Sequence, residues 1–102
     1  SFPMAFRPCP GVSQDYITQG GTALSVVLND SGRIVRVSNL GAYPAWVKFG
    51  SSSAVGASYR DLPVLPLQTE YFERNEDETY IGMISSATAQ TTLYFTPGFE
   101  TR

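Results

Sequence analysis

Apolar and polar residues alternate with a period of two along most of this chain, in short runs separated by turn-forming residues. That pattern predicts β-strands with one face buried. Over 33–38, Val35 and Val37 share a face with Arg33 at the strand's end, and Ile34 and Arg36 share the other. Over 43–49, Ala45, Val47 and Phe49 oppose Trp46 and Lys48. Over 79–85, Ile81 and Met83 oppose Tyr80, Gly82 and Ile84, and over 91–96, Leu93 and Phe95 oppose Tyr94. Further strands are expected over 22–28 and 68–73, within 11–18, and near Tyr59. The run 62–67 is apolar but carries Pro63 and Pro66, which suits an edge or a covering segment. No stretch has the 3.6-residue period of an amphipathic helix.

The connections carry their own signals. Asn29-Asp30-Ser31-Gly32 predicts a turn that closes 22–38 as a β-hairpin. A second turn is expected over 39–42. Residues 50–58 are small and flexible by composition, 73–78 form a charged loop, and 96–99 should end the last strand sharply. Six to eight short strands in one domain of 102 residues indicate an all-β sandwich or barrel, and eight would suit a jelly roll. The expected fold is a jelly-roll-like β-sandwich over 14–102, preceded by an extended N-terminal arm over 1–13.

The first thirteen residues differ from the rest. Prolines at 3, 8 and 10 fix φ and remove donors, excluding a helix or a central strand. In an extended chain Phe2, Met4 and Phe6 line one side. Such a tail either folds back over its own core or lies on a neighbouring subunit. The second reading makes Phe2, Met4, Phe6 and Arg7 partner-binding residues, with proline stiffening lowering the entropy cost of docking.

Composition narrows the function. Hydrophobic residues make up 42% of the chain but charged residues only 16%, below the usual quarter. Lys and Glu are the residues depleted from interface cores, so a sparsely charged surface suits either one that is partly covered or simply the Ser/Thr-rich surface common in small β proteins. The net charge of −2 argues against nucleic acid and anionic membranes as partners. No apolar run reaches the length of a membrane helix, and no signal-peptide pattern opens the chain. The single cysteine, Cys9, has no intrachain partner, which leaves a structural thiol or an intermolecular disulfide.

Candidate chemistry is sparse. The chain has no histidine, so the usual serine and cysteine triads and the commonest metal ligand are absent. No zinc spacing or phosphate-binding glycine loop occurs. Glu73, Glu76, Asp77 and Glu78 offer oxygen ligands for a cation but lack the spacing of a calcium loop. A carboxylate pair such as Glu70 and Glu73 could serve glycoside hydrolysis, but nothing fixes their separation, and a solvent-facing strand end explains them more simply. No enzyme and no cofactor is expected. Trp46 and Tyr94, whose in-strand neighbours are polar, are the aromatics expected to be available for binding.

From Gly32 onward the chain carries an ordered set of motifs: GRIVRVSNLGAYPAWVKFG, then DLPVLPLQTEYFERNEDETYIGMISSA, then TTLYFTPGFE. The set resembles that of small tailed-phage and prophage virion proteins of the jelly-roll capsid decoration, or cement, type. It is carried here by Val35, Val37, Asn39, Pro44, Phe49, Gly50, Leu65, Pro66, Ile81, Leu93, Tyr94, Thr96, Pro97 and Gly98. The resemblance implies a protein bound to the outer surface of the virion, on the shell of the phage major capsid protein across subunit seams, as a homo-oligomer (dimer or trimer). It carries over no catalytic residue and locates no binding site. Two other expectations stand beside it: a tail or head-tail junction structural protein, and a carbohydrate-binding module using Trp46 and tyrosines.

Overall fold

The computed structural model describes residues 5–28 and 32–101. They form nine strands: β1 (Ala5–Pro8), β2 (Gln14–Ile17), β3 (Leu24–Val27), β4 (Ile34–Asn39), β5 (Ala45–Gly50), β6 (Leu62–Val64), β7 (Thr69–Glu73), β8 (Tyr80–Ser85) and β9 (Thr92–Thr101). The pairing is nested. The innermost pair is β5 with β6, then β4 with β7, β3 with β8, and β2 with β9. The chain is thus one long antiparallel hairpin with its tip between β5 and β6. Rolling it up adds two further ladders, β4 with β9 and β5 with β8. The result is two sheets, β2-β9-β4-β7 with β1 beside the far half of β9, and β3-β8-β5-β6. This strand order is the jelly roll.

The period-two faces decide what lies between the sheets. Val35, Val37, Leu93 and Phe95 from one sheet meet Ala45, Val47, Val64, Ile81 and Met83 from the other, all fully buried. At the margin Phe49 of β5 packs edge-on against Phe72 of β7, with centroids 6.1 Å apart.

Three expectations need correction. Residues 22–38 do not make a hairpin: β3 pairs with β8, whereas β4 pairs with β7 and β9 in the other sheet. Side by side, the two strands would leave one apolar face uncovered. In opposite sheets, Leu24 and Val26 pack into the same core as Val35 and Val37. The expected turn residues 29–31 lie outside the described residues. Second, the last strand does not end at 96–99 but runs through Pro97 to Thr101. The Pro97 carbonyl accepts from the Cys9 amide at 2.9 Å, so the side of Pro97 that lacks an N–H faces the interruption between β1 and β2. No ladder bond is lost there. Third, residues 5–8 are not set apart as an arm. They pair antiparallel with Gly98–Thr101 as an edge strand of the domain, because β9 is long enough to offer them a ladder.

One end of the sandwich is fastened by polar side chains. Asn39 is fully buried. Its amide donates to the Tyr43 carbonyl at 2.8 Å and the Val64 carbonyl at 3.0 Å, and its oxygen accepts from the Gly41 amide at 3.0 Å and the Thr91 hydroxyl at 2.6 Å. Thr91 in turn donates its amide to the Thr18 hydroxyl and accepts from the Thr18 amide and hydroxyl through its carbonyl. All four hydrogen-bonding positions of the Asn39 carboxamide are used. We predict that Asn39→Ala, which strands two carbonyls and a hydroxyl in a dry site, lowers stability by roughly 2–4 kcal/mol. Urea unfolding should show this as a lower midpoint at unchanged slope.

Candidate interaction surfaces

The two outer faces of the sandwich are built differently. On the β3-β8-β5-β6 sheet, residues 51–61 turn back over β8. Gly82 makes room for them: a methyl group there would sit 3.1 Å from the Val55 carbonyl and the Ala57 amide. Ala57 and Ile84 are buried as a result. The segment expected to be a flexible loop therefore lies over this sheet. Asp61 closes it by accepting from the Ser58 amide at 2.7 Å and hydroxyl at 3.1 Å. Trp46 lies under the same cover. It is half-buried, with Tyr59 edge-on at 4.9 Å, and the Tyr59 hydroxyl donates to the Ser85 carbonyl at 2.9 Å. The indole expected to be available for binding is largely taken up by the domain itself.

The outer face of the β2-β9-β4-β7 sheet has no such cover among the described residues. Cross-strand register sets its rows. Tyr71, Arg36 and Thr96 lie side by side, and next to them Thr69, Ser38, Tyr94 and Asp15. These rows floor an open groove of about 570 Å³ lined by Ser13, Arg36, Ser38, Tyr71, Tyr94 and Thr96, among others. Tyr71 and Tyr94 are exposed. The groove's hydroxyls pair among themselves, Ser38 with Thr69 at 3.0 Å and Ser13 with Thr96 at 2.8 Å. The Arg36 guanidinium has no ion-pair or hydrogen-bond partner among the described residues. Its carbon lies 5.3 Å from the centroid of the Phe6 ring.

Phe6 shapes one end of this groove. Its ring reaches from β1 across Gly98 of β9 and meets Tyr71 of β7 edge-on at 5.3 Å. Gly98 permits the crossing, since a methyl group there would stand 2.6 Å from the ring. Of the partner-binding residues expected from sequence, Tyr94 lies in the groove and Phe6 at its margin. Arg7 is exposed one position along, facing away from Phe6. Trp46 lies on the other sheet, and Phe2 and Met4 are outside the described residues. Arg36 and Tyr71 were missed. Each sits on a polar strand face, and only the register shows that they are neighbours. Cys9 is half-buried in the interruption between β1 and β2.

The acidic stretch from Glu73 is organised by an arginine. Arg74 is buried and donates to the Gly32 carbonyl at 2.8 Å and the Glu78 carbonyl at 3.1 Å. Glu78 accepts from the Asn75 amide at 2.6 Å. Among the described residues no three acidic or other metal-ligating side chains converge. No helix of the described residues is long and apolar enough to cross a membrane.

Neither a family model nor a curated protein matches this chain. The surface itself therefore carries the functional argument. We predict that Gly98→Ala displaces the Phe6 ring and costs roughly 1–3 kcal/mol through overpacking. Hydrogen exchange should show lost amide protection in β1, with β4 still protected.

Proposed function

We propose that this protein is a phage capsid decoration protein. It docks the open face of the β2-β9-β4-β7 sheet on the outer surface of the major capsid protein shell, across subunit seams, and stabilises the particle. The observation that supports this most directly is the makeup of the groove. Two exposed tyrosines and one arginine without an ion-pair partner among the described residues stand among Ser and Thr side chains. Tyr and Arg are the residues enriched at interface hot spots, and Lys and Glu are the ones depleted. The jelly-roll strand order and the resemblance of the 32–98 motifs to virion decoration proteins point the same way.

Energetically such a protein acts by repetition. Each copy buries a modest area, and engagement of neighbouring subunits multiplies the effect. The groove contributes through Tyr94 and Tyr71, whose rings bring contact area at low rotamer cost. Arg36, held over Phe6, presents its donors to carbonyl or carboxylate groups of the shell. A structural place in the tail or head-tail junction uses the same surface, and copy number per particle separates the two.

The groove's chemistry also favours a second reading, a carbohydrate site. Tyrosine faces and rows of hydroxyls suit a sugar ring. Tyrosine fluorescence titrated against a broad glycan panel tests it, and a flat response across the panel removes it.

For the leading reading, we predict that Tyr94→Ala weakens co-sedimentation with purified capsids at least about tenfold. The same change should lower the temperature at which decorated capsids rupture to that of undecorated ones. Shell binding unchanged in both Tyr94→Ala and Arg36→Ala would remove this face from the interface. Absence of the protein from purified particles would remove the virion reading altogether.

A further inference from the structure

The groove on the open sheet carries one charge among its described residues, and that charge is positive. Arg36 projects from β4, and register sets Tyr71 on one side of it and Thr96 on the other. It is half-buried. Three acids share this face by register, and none of them lines the groove: Asp15 on β2, Glu100 opposite Phe6, and Glu73, which lies 3.7 Å from Arg33. The Arg36 guanidinium is nonetheless held, 5.3 Å from the centroid of the Phe6 ring. That contact steadies the cation but gives its N–H donors no acceptor. A cation partly withdrawn from water and lacking a counter-ion favours an anion supplied from outside. Because Phe6 already restrains the side chain, binding costs it little further rotamer freedom.

The remaining lining indicates what carries the anion. Six of the eight lining residues bear a hydroxyl: Ser13, Ser38, Thr69, Tyr71, Tyr94 and Thr96. A hydroxyl both donates and accepts, so rows of them match a ligand that is itself rich in hydroxyls. Tyr71 and Tyr94 are exposed and offer flat ring faces. Leu40 is the one aliphatic residue of the lining, whereas the core of a protein interface is about 65% apolar. The groove's volume of about 570 Å³ falls within the roughly 300–1,000 Å³ of small-ligand sites.

We propose that the groove binds an acidic saccharide, a short chain of sugar rings bearing carboxylates. One carboxylate sits on Arg36 and a neighbouring ring lies against Tyr94. A planar carboxylate accepts two parallel N–H bonds from a guanidinium, which a sugar hydroxyl does not. Phe6 is a positioning residue: it touches Arg36 and aims it. The inference rests on the carbohydrate reading of the groove and adds the ligand's charge, which that reading leaves open.

The test is calorimetric titration of the full chain with a panel of uronate and sialate trisaccharides, each beside its methyl ester. The ester keeps the rings and removes the charge. At least one acid should bind about tenfold or more tighter than its ester. Arg36→Gln should abolish that preference and leave the weaker ester affinity and the melting temperature unchanged. Phe6→Leu should reduce the preference without touching ester binding. Tyr94→Ala should weaken acid and ester by the same factor, since stacking ignores the charge. Equal affinity for every acid and its ester overturns the proposal while the carbohydrate reading stands. A flat response to the whole panel removes both. An acid preference that survives Arg36→Gln overturns the assignment to this groove. Hexaglutamate that binds through Arg36 more tightly than every saccharide also overturns it, and assigns the groove to an acidic peptide segment.

Discussion

The carboxamide of Asn39 is the fixed point of this molecule. It lies at the end of β4 with no solvent contact, and its four hydrogen bonds reach the start of β5, the end of β6, its own turn and the residue before β9. Through Thr91 the network continues to Thr18 at the end of β2. Both sheets are thereby held at the same height by groups that bond with direction, whereas the apolar core between them is non-directional and would tolerate sliding. The opposite end uses a longer device for a similar purpose. The buried guanidinium of Arg74 joins the segment before β4 to the segment before β8. Both outer faces inherit their row structure from these two fastenings.

Much of the fold was legible in the alternation of residue types. The inward sets Val35/Val37, Ala45/Val47, Ile81/Met83 and Leu93/Phe95 follow directly from period two, because one buried face leaves that imprint on each strand. Pairing partners were not legible. The apparent hairpin over 22–38 is a local signal, and the decision to send β3 and β4 to different sheets is made by strands more than thirty residues away. The prolines were read correctly as excluding a central ladder position in β6. They misled at Pro97, where an interrupted neighbour makes a missing donor harmless. Burial of Asn39 and Arg74 was equally hidden, since a polar residue in sequence does not declare that its partners are backbone carbonyls.

The candidate surfaces show the same division. Tyr94 was recognisable from its polar strand neighbours, yet Trp46 has similar neighbours and is covered by residues 51–61, a segment whose small side chains gave no sign of packing. Arg36 and Tyr71 became visible only once the β4–β7 register set them side by side. The end of the sandwich where residues 18–23, 40–44, 65–68 and 86–91 meet, none of them Asp, Glu, Lys or Arg, is a stronger case. Each of its four segments is unremarkable alone, and their shared lack of ionisable residues has meaning only because the roll gathers them. Charge on this protein is thus segregated along the strands, with an open tyrosine-bearing groove between a bare end and a charged one.

The position of β9 carries a consequence for how the molecule comes into being. It is the latest strand in the chain, yet it is the one that β1, β2 and β4 all pair with. During synthesis β4 and β7 can pair with each other, but β1 and β2 emerge with no neighbour in that sheet until β9 arrives. Nested pairing of this kind closes long loops before it rewards them, which makes folding slow. The β2-β9-β4-β7 sheet therefore stays incomplete until Thr92–Thr101 is in place and gives β2 and β4 their shared neighbour.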